Sequence, residues 1–165
     1  MAISTTRLGE AKGPKLCKAK PNCISTTEHG NIRPRSIYGV ASEMRAYIDG
    51  GVRGHEKKEG RRGFIAIVID EGEKIVEEVG SVTNNQAEYM ALVRVLKDAI
   101  SKKTNDLEVL SDSELLVKQI KGDYSVKSPS ILPLYNETRH LIRRFKKIEI
   151  KWIPRSLNLA GKLLE

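Results

Sequence analysis

Long apolar runs are missing from this chain. No uninterrupted apolar stretch approaches the ~18 residues that a membrane-spanning helix requires, and the N-terminus lacks the apolar centre of a secretory signal. The chain is therefore expected to be cytoplasmic, with no membrane partner. Cysteine is nearly as scarce. Cys17 and Cys23 are the two present, both in the N-terminal segment and separated by five residues. That gap is wider than the roughly two to four residues of a zinc knuckle, and no second cysteine pair accompanies it, which argues against structural zinc. A disulfide is disfavoured in a reducing cytosol, so the expectation is two unpaired thiols.

What is present sets the scale. A chain of 165 residues, 39% of them hydrophobic, holds enough material for one packed core and little for two. Its net charge of +8 and pI near 9.5 favour a polyanionic partner, most simply nucleic acid. Charge alone leaves a merely hydrated surface equally open.

Two unequal parts follow from composition. Residues 1–43 show no sustained period of 2 or 3.6 and are rich in Gly, Pro, Ser, Thr, Lys and Arg, with seven Lys or Arg against three Glu. Three readings fit: a non-native extension ahead of a start at Met44, a basic arm for nucleic acid, or a passive disordered tail. Residues 44–165 read as one α/β domain. Strands are expected at 44–49, 63–70 and 73–80, the last two joined by a turn at Asp70-Glu71-Gly72. A helix over about 86–100 carries the stripe Leu92, Val95, Leu96 and Ala99. A strand at 107–111, a helix at 113–121, a longer helix from Ser128-Pro129 to about Lys146, a strand at 148–153 and a stub of helix from Asn158 complete the order. This β-β-β-α-β-α-α-β-α order implies a mixed five-stranded sheet with helices on both faces.

Three acids stand in three contexts. Asp49 before Gly50-Gly51 reads alone as a turn residue, and Asp112 reads alone as part of a helix start in which Ser111 and Glu114 have capping-box spacing. Glu88 resists such a reading. It lies four residues before Leu92 and seven before Val95, so it projects from the stripe the helix buries. A carboxylate there is costly unless paired or bound to a cation. Should the first and fourth strands be neighbours, all three acids converge where parallel strands end, the usual crevice of an open sheet. Their mutual repulsion is relieved by a hard divalent cation, Mg²⁺ or Mn²⁺, and two such ions about 4 Å apart suit phosphodiester hydrolysis.

The runs Tyr47-Ile48-Asp49-Gly50-Gly51, Thr83-Asn84-Asn85-Gln86-Ala87-Glu88-Tyr89, Ser111-Asp112-Ser113-Glu114-Leu115-Leu116-Val117 and Trp152-Ile153-Pro154-Arg155 resemble, in order and spacing, the motifs of the type 1 ribonuclease H family. The likeness spans residues 44–165 and is closest to the short archaeal and retroelement-like forms. It implies a ribonuclease H-like fold and endonucleolytic cleavage of the RNA strand of RNA/DNA hybrids, assisted by two metal ions and leaving a 3′-hydroxyl and a 5′-phosphate. Under that resemblance Asp49, Glu88 and Asp112 are catalytic and metal-binding. Gly50 and Gly51 lie against the RNA strand, Asn84 and Asn85 reach the minor groove, and Thr83 belongs to a phosphate pocket on the DNA side. A wide minor groove displaying 2′-hydroxyls gives such recognition its physical basis. The implied partner is RNA/DNA hybrid, met by a monomer without a protein partner.

The pattern breaks near its end. Where the family continues to Ala-Asp, this chain has Asn158-Leu159-Ala160-Gly161, so a fourth acid is replaced by glycine and the C-terminal helix is expected to be truncated. Three readings compete: a weakened nuclease using three acids with the second metal held loosely, an impaired relative that still binds hybrid, or a site completed by Glu165 one turn on. Among other candidates, His140 reads as a surface residue and Tyr124 and Trp152 as packing residues, Trp152 backing the site. Arg143, Arg144, Lys146 and Lys147 form a basic cluster with either a phosphate-binding or a solvated role. Arg53, His55, Lys57, Lys58, Arg61 and Arg62 form a loop suited to backbone contact.

Overall fold

The alternation in Met44-Arg45-Ala46-Tyr47-Ile48 sends Met44, Ala46 and Ile48 to one side of a strand, where all three are buried. In the computed structural model, which describes residues 43–54, 62–70 and 72–165, this strand is β1 (Glu43–Arg53). The expectations for residues 1–42, for His55–Arg61 of the basic loop and for Glu71 of the turn fall outside the described residues.

β2 (Arg62–Ile69) pairs antiparallel with β1, and β3 (Glu73–Gly80) antiparallel with β2. β4 (Asp106–Ser111) pairs parallel with β1, and β5 (Lys147–Trp152) parallel with β4, giving the order β3-β2-β1-β4-β5. β2 buries both faces, as its run Phe-Ile-Ala-Ile-Val-Ile demands, whereas the edge strand β3 keeps Lys74 and Glu78 exposed. Charged residues on an edge discourage pairing with another chain.

Three α-helices follow: α1 (Asn84–Ser101), α2 (Glu114–Lys121) and α3 (Leu132–Ile142). The predicted stripe of α1 is its core face, with Leu92, Val95, Leu96 and Ala99 all at 0% exposure. Each of the larger of these side chains contributes roughly 1.5–3 kcal/mol by leaving water. α1 starts at a capping box, Thr83 Oγ accepting from Gln86 N at 3.3 Å while Thr83 N donates to Gln86 Oε1 at 2.9 Å. All three helices share one core cluster with Met44, Ala46, Ile48, Ile65, Ile67 and Ile69. The opposite face is covered more thinly, by Leu159, Ala160, Leu163 and Leu164 against Tyr47, Ala66 and Val68.

Four expectations need correction. β1 does not stop at Asp49 but continues through Gly50 and Gly51 to Arg53, because β2 offers it partners as far as Arg62. α3 is shorter than the span 129–146: it begins at Leu132 with Pro133 in its first turn and ends at Ile142. The cap of α2 is Ser113, not Ser111; Ser113 Oγ accepts from Leu116 N, and Ser111 Oγ accepts from Ser113 N at 3.1 Å. The closing helix is two 3-10 turns, Arg155–Leu157 and Gly161–Leu163, too short to form an α-helical ladder.

Candidate active site

The parallel ladder between β1 and β4 ends at Ile48 and Ser111, while β1 goes on pairing with β2. Asp49 and Asp112 are the residues immediately after that parting. Asp49 is paired with Ala66 and is 3% exposed, so it is a strand residue rather than a turn residue. Gly50 sets the third member. A Cβ there would lie 2.3 Å from the Ala87 carbonyl carbon and from the Glu88 nitrogen, so only glycine lets α1 approach this closely. That approach carries the Glu88 carboxylate in, and one oxygen from each of Asp49, Glu88 and Asp112 lies within 4.8 Å of the others.

The cluster carries more negative charge than its surroundings neutralise. Burial, then the Asp49 and Asp112 charges, push the Glu88 carboxyl up to about 9. Burial, then Asp112, raise Asp49 as well. Glu88 Oε2 is buried and has no hydrogen-bond partner. The relief on offer is modest: Gly50 N donates to Asp49 Oδ1 at 2.9 Å, and the Arg155 guanidinium lowers both shifted groups in part. Three carboxylates at this separation, one of them with an unpartnered buried oxygen, fit a divalent cation such as Mg²⁺ or Mn²⁺.

Asp112 is held on both oxygens. Asn158 Nδ2 donates to Oδ1 at 2.8 Å and Arg155 Nη1 to Oδ2 at 3.2 Å. Asn158, fully buried, also donates from Nδ2 to the Ile48 carbonyl at 2.9 Å and accepts from Ala160 N at 3.1 Å. One side chain thus ties the end of β1, the third acid and the last turn together. Gly161 lies in that turn, and a Cβ there would stand 3.6 Å from Asp49 Oδ2 with no closer contact. The glycine that replaces the expected fourth acid therefore faces the cluster. Glu165 is not a member of the group, although its charge contributes to the rise at Asp49.

A cleft of about 330 Å³ opens beside the carboxylates, lined among others by Asp49, Gly51, Arg53, Asn84, Glu88 and Arg155. Arg53 donates to the Leu164 carbonyl and lies 5.5 Å over the Phe64 ring, closing one wall. Thr83, Asn84 and Asn85 are exposed at the start of α1, the Thr83 hydroxyl being engaged in the cap. His140 is exposed on α3, as expected. Trp152 is half-exposed and its Nε1 donates to the Asp112 carbonyl at 3.1 Å, so it braces the site's backbone. Tyr124 is not a packing residue: it is 49% exposed, its ring beneath Lys118 Nζ at 4.9 Å. Sequence reasoning gave no role to Asn158 or to Arg155 beyond their place in a motif. Asn158 carried one signal, a polar residue just ahead of an apolar Leu-Ala pair.

Comparison with known proteins agrees with this geometry. A family model described as reverse transcriptase-like matches residues 48–164. The bifunctional protein Rv2228c of Mycobacterium tuberculosis is 37% identical over 115 residues, 67% of this chain and 31% of that protein, so the chain spans about a third of that relative's length. The solved N-terminal RNase H domain of Rv2228c matches at a TM-score of 0.65 with 32% identity, covering 73% of this chain and 89% of that one. The ribonuclease HI of Halobacterium salinarum is 34% identical over 119 residues, 70% of this chain and 58% of that protein. LC11-RNase H1, solved in complex with RNA/DNA hybrid, matches at a TM-score of 0.61 with 31% identity, covering 74% of this chain and 100% of that one. Fold, motif order and family match agree: the chain belongs to the reverse transcriptase-like family and its described domain has the ribonuclease H fold.

Proposed function

We propose that this chain is a divalent-metal-dependent ribonuclease H that hydrolyses the RNA strand of RNA/DNA hybrids internally, leaving a 3′-hydroxyl and a 5′-phosphate. The observation that carries the reading is the convergence of Asp49, Glu88 and Asp112, with Glu88 Oε2 buried and unpartnered. Asp49, Glu88 and Asp112 would hold Mg²⁺ or Mn²⁺, which supplies activation of water and stabilisation of charge on the phosphate. The chain's own groups do the positioning. Asn158 and Arg155 fix the Asp112 carboxylate, and Gly50 admits α1 so that Glu88 arrives. Gly50 and Gly51 would present their backbone to the RNA strand beside the cleft. Asn84 and Asn85 present amides to the minor groove, and Thr83 the exposed start of α1 to a DNA phosphate. The reading takes the protein as a cytoplasmic monomer.

Gly161 favours one second reading, a hybrid-binding domain with impaired catalysis, because the position facing Asp49 carries no carboxylate. Incubation with labelled RNA/DNA hybrid, RNA duplex and DNA duplex in Mn²⁺ or Mg²⁺ separates the two. Metal-dependent cutting confined to the RNA of the hybrid is expected. Hybrid binding without cutting would select the second reading, and equal indifference to all three duplexes would overturn both.

A further inference from the structure

Nine of the described Lys and Arg side chains form an ion pair. Arg45, Arg94, Lys97, Lys102, Lys118 and Lys151 each meet a carboxylate at 2.5–2.8 Å. Lys74, Lys121, Lys127 and Lys162 have no carboxylate partner among the described residues, and four further cations share that lack while lying together. Lys103, Arg143, Arg144 and Lys146 are exposed, and among the described residues none has a carboxylate partner. They occupy two adjoining turns, residues 102–105 from α1 to β4 and 143–146 from α3 to β5. The turns are joined where Lys147 N donates to the Asn105 carbonyl at 3.2 Å and Asp106 pairs with Lys147.

Helix ends explain only part of the group. Arg143 is the C-cap of α3 with Arg144 next to it, and Lys103 follows Lys102, the C-cap of α1, positions where the negative end of a helix favours a cation. Yet the last turn of α3 already carries Arg139 and His140, and Lys146 lies three residues past the cap. Lys103 has a φ of 56°, a left-handed conformation that Gly or Asn adopts with less strain, so the turn's backbone does not call for lysine. The patch also lies at the far end of the sheet from the carboxylates. Both turns lead into the starts of β4 and β5, while Asp112 follows the end of the six-residue β4, a separation of roughly 20 Å.

We infer that these four cations form a second nucleic-acid surface, which holds the phosphate backbone of a duplex without reading its sequence. The occupant follows from what the patch lacks. The exposed large hydrophobic residues Val76, Leu115, Tyr124, Leu132, Trp152 and Leu157 all lie outside the two turns. A protein interface needs a buried apolar or aromatic anchor, whereas a phosphate backbone needs only clustered positive charge. The inference goes beyond the nuclease reading and stands without it.

The test compares the natural full chain with the variant Lys103→Gln/Arg143→Gln/Arg144→Gln/Lys146→Gln for binding to a DNA duplex of about 20 base pairs, by fluorescence anisotropy in EDTA across a salt series. Each phosphate contact adds about 0.9 to the salt slope, so the variant's slope falls by about 3 to 4 and its affinity at about 0.1 M salt drops at least tenfold. Arg144→Gln/Lys146→Gln alone should give about half the change in slope, which guards against a folding defect in the fourfold variant. Unchanged affinity and slope in both variants would overturn the inference. Unchanged duplex binding with lost binding to phosphatidylserine vesicles would overturn it in favour of a membrane surface. Loss of hybrid cleavage bears on the carboxylate site and not on this result.

Discussion

Replacing Gly161 by Asp restores a carboxylate to the position that faces the cluster, and its consequences can be worked from the structure. The Cβ site lies 3.6 Å from Asp49 Oδ2, and the glycine's backbone is not in the left-handed region, so aspartate fits without strain. Its carboxylate would come within about 5 Å of Asp49, where two like charges at an effective dielectric near 20 repel by about 3 kcal/mol. The cleft is open to water, so a realised cost of about 1–2 kcal/mol is expected. At roughly 3–4 °C per kcal/mol for a domain of this size, the variant should unfold about 3–8 °C below the natural chain in EDTA. Manganese should reverse the order, because the added oxygen attracts a divalent ion more strongly than it repels one carboxylate. We expect Mn²⁺ to bind about ten- to a hundredfold tighter, a gain of about 1.4–2.8 kcal/mol, and hybrid cleavage to rise with it. Calorimetric scans in EDTA and in Mn²⁺, with isothermal titration of Mn²⁺, read both effects. If the variant matches the natural chain in EDTA stability and Mn²⁺ affinity alike, position 161 does not face the cluster and the account of the missing acid is wrong.

Other perturbations test neighbouring parts of the site. Asn158→Ala strands the Ile48 carbonyl and Asp112 Oδ1, so urea unfolding should show a loss of about 2–4 kcal/mol together with weaker cleavage. Gly50→Ala places a methyl 2.3 Å from the backbone of α1; the melting temperature should fall sharply and hybrid cleavage disappear as α1 and Glu88 are displaced. Stability of the metal-free protein should depend on pH with a definite sign. Between the ordinary glutamate value of 4.5 and the native value of about 9, the folded chain keeps a proton on Glu88 that the unfolded chain has lost. Stability therefore falls as pH rises through that window, by up to about 1.4 kcal/mol per pH unit, with the raised Asp49 acting in the same direction. Denaturant melts of Glu88→Gln should lack most of this slope; an unaltered slope would show that Glu88 is not the group responsible.

The sheet, α1 and the carboxylate trio were legible because each rests on a local rule. A period of 2 marks β1 and β2, and a period of 3.6 marks α1. Glu88 betrayed itself by occupying an apolar stripe, where a carboxylate is costly unless it is paired or bound to a cation. Where local rules competed, the sequence misled. Pro129 suits a helix start, yet α3 begins at Leu132 with Pro133 in its first turn. Ser111 and Ser113 both suit a cap, and β4 claimed Ser111. The extension of β1 past Asp49 depended on partners in β2, which no reading of Gly50-Gly51 alone supplies. The bracing role of Asn158 was hidden for the same reason, since it meets Ile48 across 110 positions of chain. The unpaired basic turns needed the structure too, because only the pairing of Asp106 with Lys147 brings them together.

The central claim is that Asp49, Glu88 and Asp112 work as one metal-dependent hydrolytic site despite Gly161. Cleavage of a labelled RNA/DNA hybrid by the natural chain, set beside Asp49→Asn, tests it most directly. The account predicts RNA-strand fragments bearing 5′-phosphates in Mn²⁺, none in EDTA and none from Asp49→Asn. Equal cleavage by Asp49→Asn would contradict it.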